Sequence, residues 1–464
     1  MEYKLRPYQK DAVDAGLKIK SGKNGILVLP TGTGKSLIIA EIVKQSGLRT
    51  IVLQPTKEIL EQNVAKFRAF GLIDYGIFSA SMNEKSIGMI TFATIGTIIK
   101  HKEKFANFKQ IIVDECHLVN SKGGQYEDFI TSLGKPVIGL TATPFRMKYY
   151  VNSFGNNEPV VESRFLTRTR PRIFNTISHI TQIPDMFDQG FLCPTRIDAE
   201  NTYDSKKILN NSTGQGYDEK ALSRYNESQG IVPKIVDAVR GSASKHILIF
   251  THFRAESKTV IKTLESVNIH CCEVSGKTQK AERERILSAF KSGEIRCVVN
   301  VGVLTVGFDF PELDCIIIGR PLKSLALFYQ ISGRGLRPAP GKEFCNIIDL
   351  CDNIKRFGEI NSFVIEDISE GRELWRLKSS KGYLTGVNLI SGKDIEKRQM
   401  TTVKEKKAAE SGELTLPFGK HLGAKISELD QDYMKWCSEN FDNGKWKTIF
   451  VNELKRRESL ELGV

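Results

Sequence analysis

The sequence predicts an α/β protein built from two tandem parallel-sheet domains, with a small C-terminal module behind them. Three observations carry this. A short apolar run, Gly25–Leu29, passes through a glycine-rich turn into an apolar helical stretch, Leu37–Val43. A second run, Ile111–Val113, ends abruptly on Asp114 and Glu115. Apolar runs of strand length then recur between helical stretches in both halves of the chain, the pattern of a parallel sheet covered on both faces.

Taken in order, the strand-like runs of the first half are Gly25–Leu29, Ile51–Leu53, Met89–Phe92, Ile111–Val113 and Val137–Leu140. Those of the second half are His246–Phe250, Cys272–Val274, Cys297–Asn300, Cys315–Ile318 and Asn346–Leu350. Between them lies a stretch from Asn201 to Gly230, rich in Asn, Ser, Gly and Lys, that reads as a mobile connector. The expected boundaries are a first domain at 1–165, a connector at 166–235, a second domain at 236–385, a charged linker at 386–412 and a module at 413–464.

The turn after the first strand is Leu29-Pro30-Thr31-Gly32-Thr33-Gly34-Lys35-Ser36. Between a strand and a helix, such a turn lets backbone N–H groups converge on one concavity, where the helix N-terminus also favours negative charge. Phosphate is the expected occupant, with Lys35 pairing the β/γ-phosphates of ATP and the Ser36 hydroxyl ligating Mg²⁺. Leu29 stands where the usual pattern begins with glycine.

Asp114 and Glu115 emerge at the carboxyl end of an apolar strand, where open α/β sheets place ligands. Asp114 is positioned to hold Mg²⁺ through water, and Glu115 to direct or deprotonate an attacking water. Thr141-Ala142-Thr143-Pro144, after the next strand, adds a third element. An ATP-hydrolysing site is the chemistry these residue types imply.

With Asp114-Glu115-Cys116-His117 in place, the chain resembles the superfamily 2 helicases of the DEAD/DEAH-like group. That resemblance implies two RecA-like domains facing each other across an ATP cleft. Lys4-Leu5-Arg6-Pro7-Tyr8-Gln9 is similar to the family's adenine-recognition segment, which implies ATP contacts from Arg6 and from Gln9 at the adenine edge. Thr141 and Thr143 match the motif that couples hydrolysis to strand movement. Asn300–Asp309 resembles the fifth motif, implying nucleotide contacts from Gly307 and a ribose contact from Asp309. Gln330-Ile331-Ser332-Gly333-Arg334-Gly335-Leu336-Arg337 resembles the sixth, with Arg334 and Arg337 completing the γ-phosphate site from the second domain. A planar guanidinium suits that role where lysine does not. His117 is implied to link the two halves through Gln330, a packed histidine being the alternative.

Nucleic-acid contacts follow from the same resemblance: Thr56, Lys57 and Thr94 in the first domain, and Thr251, Ser275, Gly276 and Thr305 in the second. Hydroxyls and backbone amides suit phosphate oxygens, although each of these residues is equally suited to cap a helix or form a turn. Within the group the likeness extends to the RadD family of bacterial DNA-repair ATPases. The chain departs from that family's four-cysteine zinc module, since it contains no Cys-x-x-Cys.

Composition is compatible with this. A formal net charge of +13 over 464 residues favours a polyanionic partner. The nine cysteines show neither metal-ligand nor disulfide spacing and read as reduced, small hydrophobes. No apolar stretch reaches membrane-spanning length, and a cytoplasmic location, bacterial or in a phage-infected host, is expected. In the tail, Phe418, Tyr433, Trp436 and Trp446 are interleaved with lysines and serve either a miniature core or base stacking. The expected function is an ATP- and Mg²⁺-dependent nucleic-acid motor, a DNA helicase or branch-remodelling translocase in repair, recombination or phage replication. An RNA helicase, a DNA-binding ATP switch and a restriction-type translocase subunit remain open, and protein partners are unknown.

Overall fold

In the computed structural model, residues 4–120, 123–152, 158–212, 214–303, 308–369 and 373–389 are described, together with residues 395, 416 and 421 and the segments 424–440 and 444–461. The chain divides into two units, Met1–Ile390 and Ser391–Val464.

The larger unit begins with helix α1 (Pro7–Leu17), whose proline occupies the first turn, where its missing N–H costs nothing. Then follow β1 (Gly25–Val28), α2 (Lys35–Ser46), β2 (Thr50–Gln54), α3 (Lys57–Ala69), β3 (Tyr75–Ser79), β4 (Glu84–Lys85), β5 (Ile90–Thr94), α4 (Ile95–Ile98), β6 (Gln110–Asp114), α5 (Gln125–Leu133) and β7 (Val137–Thr141). Next come an antiparallel pair, β8 (Phe145–Asn152) and β9 (Glu158–Phe165), and then β10 (Thr176–Ile180), α6 (Ile183–Asp188) and β11 (Thr195–Asp198).

The first sheet runs β10-β1-β7-β6-β2-β5-β3-β4, parallel throughout except for β4. Its central strands β2, β6 and β7 are buried at every position because both faces are covered. Leu27, Val52, Ile112 and Leu140 pack with α2 and α3, whereas Ile26, Ile51, Ile111 and Val113 face the other way. That second cluster continues without a break into Phe250 and Ile316 of the second sheet, so the two sheets share an apolar core.

The second sheet draws on α7 (Glu219–Ser228), α8 (Ile231–Gly241), β12 (Ile247–Thr251), α9 (Arg254–Glu265), β13 (Cys271–Ser275), α10 (Lys280–Ser292), β14 (Cys297–Val301), β15 (Cys315–Gly319), α11 (Leu325–Ser332) and β16 (Cys345–Asp349). Its order is β11-β16-β15-β12-β14-β13, all parallel. After α12 (Asn353–Phe357), a small antiparallel sheet forms from β17 (Val364–Asp367), β18 (Trp375–Ser379) and β19 (Gly382–Tyr383).

The segment expected as a connector, 166–235, contributes a strand to each sheet. Its β10 pairs with β1 in the first sheet, and its β11 pairs with β16 in the second. The polar stretch within it is held by hydrogen bonds within itself and to the second sheet's segments, and by Tyr203, Ile208 and Leu222 buried in a common cluster. Tyr203 is 1% exposed and donates to Asn226, while the Ser205 hydroxyl and backbone N–H both donate to Asp352. A segment with few apolar residues can therefore pack when its buried polar groups find hydrogen-bond partners. The linker expected from residue 386 begins later, because Leu389 donates to the Val161 carbonyl and Val161 to Asn388. Residues 390–394 and 396–412 lie outside the described residues.

All nine cysteines are unpaired, and all but Cys272 are buried. No helix among the described residues is long and apolar enough to cross a membrane. The smaller unit centres on Leu416, Ile426, Leu429, Met434, Cys437 and Phe450, with helices at Gln431–Asn440 and Gly444–Glu461. Tyr433 and Trp446 pack against this core, but Trp436 is 55% exposed because Met434 and Cys437 define the inward stripe of its helix. Phe418 lies outside the described residues.

Candidate nucleotide site between two parallel sheets

The glycine turn sits at the carboxyl end of β1. Gly34 has φ +80° as the N-cap of α2, the left-handed region where a side chain would be strained. A Cβ there would also come within 2.7 Å of the Gln9 amide nitrogen. Gln9 is buried and braces the turn, donating to Thr33 O at 2.9 Å and accepting from Arg6 N–H at 2.9 Å, while the Tyr8 hydroxyl donates to the same carbonyl. Its amide is thus half spent on protein, with one N–H and one lone pair left for a base edge. Arg6 lies over the Phe191 ring at 4.5 Å, and the Tyr8 ring packs against the same ring. Pro30 is buried, its carbonyl accepting the Thr33 hydroxyl.

Lys35 Nζ pairs with Glu115 Oε1 at 3.1 Å. Glu115 adopts φ +50°, which turns its carboxylate back over the strand end. Burial raises its affinity for protons, but the Lys35 charge and the His117 hydrogen bond outweigh this and hold it below the ordinary carboxylate range. Asp114 behaves oppositely: burial, and then the Glu115 charge, push it up to about 6. The Ser36 hydroxyl donates to Asn63 Oδ1, and the Asn63 amide donates to Asp114 Oδ2 at 3.0 Å. Two expected Mg²⁺ ligands are thereby joined through one residue that sequence reasoning missed. Its signal was a polar side chain on the apolar stripe Ile59, Leu60, Val64 and Phe67 of α3.

The second sheet closes the site. Arg334, 6% exposed, donates to Phe308 O at 2.6 Å. Burial, and then Arg337, lower its proton affinity to a pKa of about 10. Arg337 pairs with Asp309 at 2.7 Å and passes over Gly32, where a Cβ would meet its side chain at 3.1 Å. Lys66, also missed from sequence, reaches across from α3 to Asp309 at 3.5 Å. A Cβ on Gly333 would collide with the Thr31 hydroxyl, so glycine permits the two halves to meet.

His117 joins the halves. Gln330 Nε2 lies 3.0 Å from His117 Nε2, and because the amide nitrogen can only donate, that ring nitrogen accepts. The ring proton then sits on Nδ1, 2.9 Å from Thr141 Oγ1 and 3.2 Å from Glu115 Oε2. Thr141 also accepts from Thr143 N–H.

These groups enclose a cavity of about 260 Å³ lined by Gly32, Lys35, Ser36, Glu115, Arg334 and Arg337 among others. Thr31 and Thr143 also line it, and their buried hydroxyl oxygens meet no partner among the described residues. Backbone donors, two lysines, two arginines and paired oxygen donors can hold a triphosphate with a hard divalent cation.

The expected nucleic-acid contacts lie at the carboxyl ends of β2, β5, β12 and β13. Thr56 caps α3 by accepting from Ile59 N–H, and Lys57 donates to Ser81 O. Thr94 is hydrogen-bonded with Ser79 and Thr97. Thr251 and Ser275 depart from expectation: at 0% and 2% exposed, their hydroxyls face protein, and only the neighbouring Gly276 is open. Thr305 and Gly307 lie outside the described residues.

Residues 2–146 match the family described as "Type III restriction enzyme, res subunit", and residues 230–339 the "Helicase conserved C-terminal domain". The putative ATP-dependent helicase IRC3 of Saccharomyces cerevisiae is 27% identical over 74% of this chain. This chain spans 51% of that relative's length. The DNA 3'-5' translocase XPB2 of Sulfurisphaera tokodaii is 27% identical over 72% of this chain and 78% of its own. Among solved structures, the ATP-dependent Type ISP restriction-modification enzyme LlaBIII bound to DNA shares the fold. It has TM-score 0.56 and 18% identity, over 76% of this chain and 28% of that one.

Proposed function

The chain belongs to the superfamily 2 DEAD/DEAH-like helicases, and from that premise we propose that it is an ATP- and Mg²⁺-dependent DNA motor, a helicase or branch-remodelling translocase. The observation that carries this reading is the single cavity into which Lys35 and Glu115 project from one sheet, and Arg334 and Arg337 from the other. In this reading Lys35 leaves Glu115 for the β/γ-phosphates, which frees the Glu115 carboxylate to take a proton from the attacking water. Ser36 and Asp114 hold Mg²⁺, which when bound would offset charge on the phosphates. Arg334 and Arg337 stabilise the charge on the transferring group, so hydrolysis requires the two sheets to be apposed. His117, Thr141 and Gln330 relay that apposition, and Gln9, Arg6 and Asp309 hold the nucleoside.

A strand lying across the carboxyl ends of both sheets would meet Thr56, Lys57, Thr94 and the backbone at Gly276. Apposition and separation of the sheets would move it. DNA is preferred over RNA because the named relative XPB2 is a DNA translocase and the solved neighbour LlaBIII is bound to DNA. The formal charge of +13 favours either polymer. A cytoplasmic setting and a role in repair or recombination belong to the same reading, as does nucleic-acid binding by the C-terminal unit.

ATP turnover measured with single-stranded, duplex and forked DNA and with RNA tests this, alongside a strand-separation assay. Strong stimulation by forked DNA with separation is expected. Stimulation without separation favours a translocase or switch, and preference for RNA overturns the choice of polymer.

A further inference from the structure

We propose that Asn63 and Gln54 form a buried carboxamide shell that positions the divalent cation and its water between Ser36 and Asp114. The inference rests on the nucleotide-site reading above and adds two positioning residues to it.

Asn63 is 4% exposed and lies between the two oxygen donors, accepting from Ser36 and donating to Asp114 Oδ2. A carboxamide does both, whereas aspartate would repel Asp114 and an aliphatic side chain would leave both groups without their partner. Gln54 is the last residue of β2. The register pairs Leu53 with Val113, which brings Gln54 beside Asp114. Val52 and Ile112, two residues earlier on each strand, share one apolar cluster, so Gln54 and Asp114 share that face.

Gln54 is 0% exposed, yet neither its amide nitrogen nor its amide oxygen meets a partner among the described residues. Leaving such a group unsatisfied carries the desolvation cost of each buried donor and acceptor, a cost that a purely structural position would shed by carrying methionine. Mg²⁺ keeps several of its waters when held by one or two carboxylates and a phosphate, and those waters need fixed acceptors. Asn63 Oδ1, once Ser36 turns to the metal, and Gln54 Oε1 supply them. The residues after Gln54 are Pro55, Thr56 and Lys57, so the shell ends where the proposed strand contacts begin.

The test is equilibrium binding of a fluorescent, slowly hydrolysed ATP analogue to the full chain, titrated with Mg²⁺ and repeated in EDTA. Asn63→Leu should raise the Mg²⁺ midpoint by roughly tenfold or more, the usual effect of losing an outer-shell partner, while affinity in EDTA stays within about twofold. Gln54→Met should raise the midpoint by a smaller factor without lowering the melting temperature in EDTA. It decides the matter if Asn63→Leu does not fold. Unchanged Mg²⁺ midpoints, or affinity lost equally with and without Mg²⁺, overturn the shell. Wild-type binding that Mg²⁺ does not strengthen, or that Lys35→Ala leaves intact, overturns the underlying site reading instead.

Discussion

At the carboxyl edge of the first sheet, β6 ends on the buried Asp114, followed by the half-buried Glu115, and β1 leads into a glycine turn carrying Lys35. At the edge of the second, β15 and α11 are followed by Arg320, Arg334 and Arg337. Both sheets are built of parallel strands, β4 excepted, with apolar side chains on both faces, so the shared architecture does not distinguish them. The charges do. The acids are compensated inside their own half by Lys35 and Asn63, whereas Arg334 is desolvated and feels Glu115 from the opposite half. A site divided in this way is complete only when both edges meet. That is the physical basis for linking chemistry to relative motion of the sheets.

The comparison predicts different failures on the two sides. Lys35→Ala removes the point charge from the cradle and should abolish nucleotide binding and turnover together. Arg337→Lys keeps a charge but loses the planar fork. It should leave nucleotide affinity within a few fold and cut kcat by about a thousandfold, the lower range for a guanidinium acting on a transferring phosphoryl group. Binding and single-turnover measurements on both variants separate these outcomes, and equal losses in affinity would break the division of labour.

Much of the first edge was legible because its groups are contiguous in the chain. A glycine turn between strand and helix, or two acids after an apolar run, brings its residues together through local backbone geometry alone. Lys35, Ser36, Asp114 and Glu115 could therefore be located without knowing the topology. Asn63, Lys66 and Gln54 could not, since they join the site only once α3 is laid over β2 and β6. Phe191 is likewise brought to Arg6 by tertiary packing. The segment 166–235 shows the same limit: β10 is short and half polar, and the helical stretch near Leu222 is held by Asn226, which accepts from Tyr203 and donates to Glu256, rather than by a continuous apolar stripe. Thr251 and Ser275 show the converse. Their residue type suited phosphate contact, and burial turned the hydroxyls inward.

The junction between the halves should give an intermediate effect. Gln330→Leu preserves volume approximately but removes the N–H donated to His117 across the gap. Basal ATP turnover should persist within about tenfold, consistent with loss of one hydrogen bond, while stimulation by nucleic acid is lost. Stimulation equal to wild type would show that the halves communicate by another route.

The smallest effect concerns stability on the second edge. His252 follows β12, and its Nδ1 is buried without a partner among the described residues. Burial, and then the neighbouring Arg320 charge, lower its pKa to about 4 from an ordinary value of 6.5. Because the folded value lies below the unfolded one, the unfolded chain takes up a proton between those values that the folded chain refuses. The contribution to stability is therefore whole above pH 6.5 and is lost progressively as pH falls toward 4. Replacing His252 with Gln removes this proton linkage. The stability lost between pH 7 and pH 5 in denaturant melts should then shrink by about 2 kcal/mol relative to wild type. If His252→Gln loses as much stability on acidification as wild type, the acid sensitivity arises from the carboxylates of the first edge, and the contrast drawn between the two edges fails for stability.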